Sequence, residues 1–228
     1  MERRHEVTRL EGFSDAVFGF ALTLLVVSLE VPKDFAGLLN LMRGFLPFAL
    51  MFAMICWIWY EHQLFFRRYG LHDTATIAIN CCLLFVVLFY VYPLKYLTTG
   101  LLGPLLGMDN TPDIRAGSDT IMLMYSGGVV MIFGAFTALY ARAWHQRAAL
   151  ELTPADEITL RFGQRGHVIS MMFGVVSIAV VGIGRLTGLG TLSFVAGILY
   201  SLMGPLHAWN GYAGGRAHDH LRKTLTRP

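Results

Sequence analysis

Arg9-Leu-Glu-Gly-Phe13-Ser14-Asp15 leads without a break into AVFGFALTLLVVSL, residues 16–29, which contain no charged side chain. An apolar segment of this kind has nearly the length that an α-helix needs to cross the hydrocarbon of a bilayer. Asp15 therefore stands at the edge of a predicted membrane span. A carboxylate at that depth is costly, and it needs partner groups and usually has a function.

The whole chain has the composition of an integral membrane protein. Of its 228 residues 55% are apolar and only 14% are charged, whereas a soluble domain typically carries about 25% charged residues. The fold class is predicted as all-α and polytopic, with six spans. They lie at about 13–31, 44–62, 75–97, 119–141, 167–184 and 189–208. Residues 1–210 are predicted as one transmembrane domain. Residues 211–228, which are rich in glycine and then basic, are predicted as a loosely ordered basic tail.

The distribution of Lys and Arg predicts the orientation. Thirteen of the 18 cations fall on the side of the two termini and five on the other side. Cytoplasmic loops carry the excess of cations, so both termini are expected in the cytoplasm of a multi-pass plasma-membrane protein. The net charge of +3 then reflects topology, and no nucleic-acid partner is expected. In the loop 144–166, Thr153-Pro154 followed by acidic residues predicts a short surface helix that leads into the fifth span.

No enzyme, cofactor or metal signature is present. The cysteines Cys56, Cys81 and Cys82 all fall inside predicted spans and lack metal-ligand spacing, so we interpret them as small buried apolar residues. No nucleophile motif and no pair of intramembrane carboxylates occurs, and no helix carries Arg at every third position. The sequence therefore predicts neither catalysis nor a voltage sensor of the arginine-rich type.

One stripe of the first span has two possible roles. Phe20, Thr23, Leu24, Val27 and Val31 follow helical spacing and share one face. Such a stripe is most often lipid-facing or packed against other helices. The alternative is the lining of a narrow apolar pore, which can close by dewetting. Periodicity alone does not separate the two.

The charged start of this span needs partners elsewhere. Arg9 and Asp15 are six residues apart, so on one helix they point to different sides and do not simply pair. Trp59 and His62 at the end of the second span, and Asn80 early in the third, are the candidates. Taken alone, Trp59 and His62 are typical interfacial residues, and Asn80 is typical of an interhelical hydrogen bond.

The segment RLEGFSDAVFGFALTLLVVSLEVP closely resembles the signature of the transmembrane protein 175 family, the endolysosomal potassium channels and their prokaryotic relatives. The matching residues are Arg9, Phe13, Ser14 and Asp15. Further matches are Trp59, His62 and Phe65 in the second span, and Asn80 and Pro93 in the third. The resemblance covers roughly the first hundred residues.

This resemblance implies a homotetrameric, potassium-permeable channel whose first helices line the pore, with modest preference for K⁺ over Na⁺. Phe20 corresponds to the constriction and Thr23 to a selectivity layer, followed by Leu24 and Val27. Arg9, Phe13, Ser14 and Asp15 would anchor the helix with Trp59, His62 and Asn80. Family members usually have Ile or Leu at the constriction, so Phe20 is a departure. The alternative hypothesis is a proton-coupled or other secondary transporter that uses Asp15 and His62.

Overall fold

The computed structural model describes residues 7–29, 31–109, 111–115 and 117–225, and within these ranges every regular element is helical. Six helical segments are long and apolar enough to cross a membrane, as predicted, and the last of them is formed by α7 and α8. Two short 3₁₀ turns occur at Pro104–Leu106 and Tyr200–Leu202. The helices are α1 (Arg9–Val27), α2 (Phe35–Arg43), α3 (Phe45–Tyr69), α4 (Thr74–Leu102), α5 (Ser118–His145), α6 (Pro154–Thr187), α7 (Leu192–Leu199) and α8 (Met203–Leu225).

The chain divides into two compact units. The first unit comprises the residues up to Gly70 together with Leu84–Tyr125, and the second comprises Leu71–Leu83 together with the residues from Ser126 onward. In the first unit α1 packs on α3. Its core includes the aromatic cluster of Phe65, Phe66 and Tyr69 at the end of α3.

A capping box fixes the start of α1. The Thr8 hydroxyl accepts a hydrogen bond from the Glu11 amide at 3.2 Å, and the Glu11 carboxylate accepts one from the Thr8 amide at 2.8 Å. Two of the orphan amides at the helix start are thereby satisfied. The helix begins at Arg9, so the family-like segment Arg9–Asp15 is helical from its first residue.

In the second unit α6 is the central element, with α7 and α8 packed on it. Small residues allow the close approach of these helices. A Cβ on Gly174 would lie 2.7 Å from Val130 on α5, and one on Gly214 of α8 would lie 3.2 Å from Phe162. The predicted helix start is confirmed at Thr153, but the separate short helix is wrong: α6 runs for 34 residues without a break.

Two further expectations were wrong. The tail was expected to be loosely ordered because it is rich in glycine, yet α8 continues through Gly211 to Leu225. Gly214 serves close packing there, since a Cβ at this position would lie 3.2 Å from Phe162, whereas one on Gly211 or Gly215 would meet nothing within 4 Å. Burial of the cysteines was also predicted, but Cys56 is only half-buried, and Cys81 and Cys82 are exposed on α4.

Candidate pore helix and its anchoring residues

The first helix has two distinct faces. Its buried residues Ser14, Phe18, Ala21 and Leu25 recur at helical spacing and form the inner face. The exposed face contains Phe13, Phe20 and Val27, which are seven residues apart and 55%, 55% and 72% exposed. The first unit therefore covers one stripe of α1 and leaves another apolar stripe uncovered.

Residues of the predicted pore lining lie on or beside this exposed face. Phe20 and Thr23 are exposed, and Leu24 is half-buried at its border. The Thr23 hydroxyl donates to the Gly19 carbonyl at 2.9 Å. The proton of this hydroxyl is used within the helix, so the group can interact with another partner only as an acceptor, through its oxygen lone pairs. Val31, which follows the helix, is also exposed.

Asp15 has a partner on α3. Its carboxylate accepts a hydrogen bond from the indole nitrogen of Trp59 at 2.7 Å. A hydrogen bond to a charged acceptor is stronger than one between neutral groups, which suits a carboxylate at the edge of a span. The neighbouring Ser14 is fully buried, and its hydroxyl donates to the Leu10 carbonyl at 2.9 Å. The structure therefore brings Asp15 and Trp59 together.

The other predicted anchoring residues are placed differently. His62 is buried with its ring against Phe18 and Phe66, at centroid distances of 5.4 and 4.6 Å. Arg9 is exposed and forms no ion pair with Asp15 or with another residue in the described ranges. Asn80 is fully buried and belongs to the second unit.

Sequence reasoning missed a lysine that binds the far end of α1. The Lys95 ammonium, on α4, donates to the carbonyl and the hydroxyl of Ser28 at 2.7 and 2.9 Å. Ser28 caps the C-terminus of α1, where the helix dipole favours a cation. Lys95 also lines a cavity of about 620 Å³ together with Leu25, Asn40 and Met51. Its one sequence signal was a lone cation shortly after Pro93 near the end of an apolar run.

A second missed cluster lies in the second unit, just before α4. Asp73 accepts from the Thr76 hydroxyl at 2.5 Å and forms an ion pair with Arg142 of α5 at 2.9 Å. The hydrogen bond from Thr76, reinforced by the Arg142 guanidinium, lowers the pKa of Asp73 to about 2. The carboxylate thus stays charged and joins the starting turn of α4 to the end of α5.

Comparison with known proteins identifies the family. Residues 9–90 match the family described as endosomal/lysosomal potassium channel TMEM175. A potassium channel of Marivirga tractuosa is 35% identical over 213 residues, which cover 90% of this chain and 86% of that protein. The chain belongs to the TMEM175 family. A potassium channel of Streptomyces collinus is 30% identical over 188 residues, covering 76% of this chain and 84% of that protein.

Solved structures agree with this membership. The chain is similar to a crystallised variant of the potassium channel MtTMEM175 in complex with a nanobody–MBP fusion protein, with a TM-score of 0.83 and 33% identity. The alignment covers 95% of this chain and 97% of that one. A lysosomal potassium-selective channel TMEM175 homologue from Chamaesiphon minutus gives a TM-score of 0.51 at 26% identity, covering 86% and 96% of the two chains.

Membership confirms the resemblance and the all-α, multi-pass fold, and it extends both well beyond the first hundred residues. The TMEM175 relatives and structural neighbours are potassium channels and not enzymes. This favours the channel hypothesis over the transporter that would use Asp15 and His62.

Proposed function

We propose that this TMEM175 protein is a homotetrameric potassium-permeable channel of the plasma membrane, with both termini in the cytoplasm and α1 lining the pore. The excess of cations on the side of the termini supports the orientation. We assign residues 1–210 to the channel domain and 211–228 to a basic cytoplasmic tail. The observation that carries the proposal is the uncovered stripe of α1 through Phe13, Phe20 and Val27.

Several subunits are needed to turn this stripe into a pore. The Arg9–Asp15 element occurs once in the chain, so one subunit supplies one such helix. A ring of identical helices around a symmetry axis encloses a channel, and each then presents the same face to the axis. The covered stripe of α1, with Ser14 and Phe18, would hold each pore helix against its own subunit.

Phe20 forms the constriction in this proposal. It is exposed in the middle of the stripe, with Phe13 seven residues before it and Val27 seven residues after it. A ring of phenylalanine side chains is a hydrophobic barrier, which a hydrated ion passes only after partial dehydration. A Cβ on the neighbouring Gly19 would meet nothing within 4 Å, so the Phe20 ring has space beside it into which it can turn.

Thr23 forms the selectivity layer, with Leu24 and Val27 in the rings beyond it. The Thr23 hydroxyl donates to Gly19, and its lone pairs are therefore available to coordinate a partly dehydrated cation. A layer of flexible hydroxyl groups is a weaker selector than rings of backbone carbonyls. We therefore expect a modest preference for K⁺ over Na⁺, without voltage-sensor gating.

The start of the pore helix is anchored by the hydrogen bond between Asp15 and Trp59. We assign the same anchoring role to the buried Ser14 and His62. For Asn80, which is buried in the second unit, we propose an interhelical hydrogen bond within that unit. Arg9 and Phe13 are exposed, so their anchoring partners would be groups of a neighbouring subunit.

Replacement of Phe20 tests the pore assignment. In liposomes loaded with K⁺, the purified protein should release K⁺ faster than empty vesicles, and Phe20→Ala should raise the rate at least severalfold because the constriction widens. Phe89→Ala is the matched control, since Phe89 is 61% exposed and lies on α4, which is not the proposed pore-lining helix. Flux equal to that of empty vesicles, with no increase in Phe20→Ala, would exclude the pore assignment.

A further inference from the structure

Two arginines of α6 lie face-on over tryptophan rings. The guanidinium carbon of Arg161 is 4.4 Å from the ring centroid of Trp144 on α5, and that of Arg165 is 4.6 Å from the ring of Trp209 on α8. Arg161 and Arg165 are four residues apart, so their side chains leave one face of α6 on successive turns. Within the second unit, three helices therefore contribute to this pair of guanidinium groups, and Arg147 also lies over the Trp144 ring, at 4.5 Å from its centroid.

Neither guanidinium has an acidic partner within the residues that the structure describes. Two neighbouring arginines do: Arg142 pairs with Asp73 at 2.9 Å, and Arg147 approaches Glu157 at 4.0 Å. Arg161 and Arg165 are both exposed. A guanidinium that packs on a ring through its flat face keeps its N–H edge available, and this edge can bind phosphate in bidentate fashion.

The position of the pair along α6 corresponds to the depth of lipid phosphates. From Gly166 to Gly184 the helix has no Asp, Glu, Lys or Arg, and these 19 residues extend about 28 Å, close to the thickness of the hydrocarbon. Arg165 immediately precedes this run and Arg161 lies one turn further out. Trp144 and Trp209, on which they stack, are residues typical of the membrane interface.

The structure assigns to Arg161 and Arg165 a binding site for the phosphate of an anionic phospholipid. The two donor edges bind the headgroup phosphate, and Trp144 and Trp209 hold the guanidinium planes while their rings contact the upper part of the lipid. A lipid is the occupant because the pair lies at the end of the apolar run, where phospholipid phosphates are concentrated. The site does not depend on the pore assignment of α1.

Lipid binding to the purified full-length protein tests this site. Native mass spectrometry in a neutral detergent would give the dissociation constant of the tightest phosphatidylglycerol molecule. Phosphatidylcholine is the zwitterionic comparison, because its choline cation cancels the charge of its phosphate. Arg165→Gln should weaken phosphatidylglycerol binding about fivefold, and Arg161→Gln with Arg165→Gln about 25-fold. Phosphatidylcholine binding should change less than twofold.

Arg185→Gln is the matched control, because Arg185 immediately follows the uncharged run, as Arg165 precedes it. It should leave the tightest site unchanged. Equal losses in Arg165→Gln and Arg185→Gln would overturn the proposal, since only net charge would then matter. No loss in the double variant would also overturn it, because the lipid would then bind without these two arginines. Inorganic phosphate in large molar excess should not displace the lipid. Displacement would overturn the lipid assignment, because it would indicate a site for a soluble anion.

The double variant Arg161→Lys with Arg165→Lys separates stacked guanidinium groups from mere positive charge, and it also keeps the test valid where the glutamine pair fails to fold. Lysine keeps the charge but offers no planar fork for phosphate. We expect phosphatidylglycerol affinity to fall by roughly threefold or more, because lysine forms a weaker, monodentate contact with the phosphate. Full retention of affinity in this variant would overturn the assignment to these two guanidinium groups.

Discussion

The Thr23 hydroxyl is the group that we expect to set the preference for K⁺ over Na⁺. Its proton is donated to Gly19, so the oxygen can face a passing ion as an acceptor. Thr23→Val keeps the shape and removes the oxygen, and we expect the preference for K⁺ over Na⁺ to fall by up to about fivefold, the equivalent of one hydrogen bond. Reversal potentials under bi-ionic conditions measure this ratio. Thr23→Ser should keep the preference, and an unchanged ratio in Thr23→Val would contradict the assigned role.

Asp73 has a pH dependence whose direction follows from its pKa of about 2, below the usual 3.8. Because the folded-state pKa is lowered, the carboxylate stabilises the fold fully above about pH 4, and this contribution is lost as the pH falls from about 4 to about 2. Asp73→Asn should lower the melting temperature at pH 7 by a few degrees (roughly 1 kcal/mol for this partly exposed pair). The difference from wild type should shrink below pH 4. A constant difference from pH 7 to pH 3 would show that the charge is not involved.

At the scale of elements, the apolar runs predicted the spans well, because crossing hydrocarbon requires about 20 apolar residues and leaves little freedom. The prediction failed for the tail, because glycine either loosens a chain or allows two helices to pack closely. The glycines of the tail suggested loose order, but Gly214 lets α8 approach Phe162 on α6. Only the partner helix decides between flexibility and close packing, and a single sequence does not identify that partner.

The same reason limited the prediction of the site. Trp59 and His62 are one turn apart on α3, so their spacing made both candidate partners for Asp15. In the structure, Trp59 donates a hydrogen bond to Asp15. In the sequence, Lys95 served only as one of the cations that indicate topology. Its contact with Ser28 joins residues that are 67 positions apart, and a single sequence does not reveal such a contact. Helical periodicity predicted which residues share a face of α1, whereas the exposure of that face and the partners of the helix required the structure.

Polar contacts hold α1 near both of its ends: Asp15 accepts from Trp59 in the first part of the helix, and Lys95 donates to Ser28 at its C-terminus. Lys95→Met keeps the length of the side chain but removes the donors. We expect it to lower the melting temperature by about 3 °C, as the loss of roughly 1 kcal/mol would. Trp59→Phe should have a comparable effect, because Asp15 then loses its indole donor.

Lys33→Met provides the control for Lys95→Met, because Lys33 lines the same cavity and no hydrogen bond from its ammonium occurs within the described residues. It should leave the melting temperature unchanged, as measured by the intrinsic fluorescence of the detergent-solubilised protein. Equal stabilities of Lys95→Met and wild type would mean that the contact with Ser28 contributes nothing to holding α1.

At the scale of the whole molecule, the proposed assembly makes a prediction about distance. A tetramer of the 25.4 kDa chain has a mass of four times that value, about 102 kDa. Val27, 72% exposed on α1, would approach its copies around the axis. In a background in which Cys56, Cys81 and Cys82 are replaced by Ala, Val27→Cys should therefore give covalent dimers on oxidation, seen in non-reducing gels.

Phe194→Cys on α7 is the matched control, since Phe194 is 75% exposed but lies outside the proposed pore helix. We expect no covalent dimer of this variant in the non-reducing gel after the same oxidation. A side chain that faces lipid does not approach its own copy to disulfide distance, at which the Cβ atoms are about 4 Å apart. Mass photometry of each variant before oxidation would establish that the assembly is intact. Cross-linking of Phe194→Cys alone, in an assembly of the expected mass, would move the symmetry axis away from α1 and with it the pore.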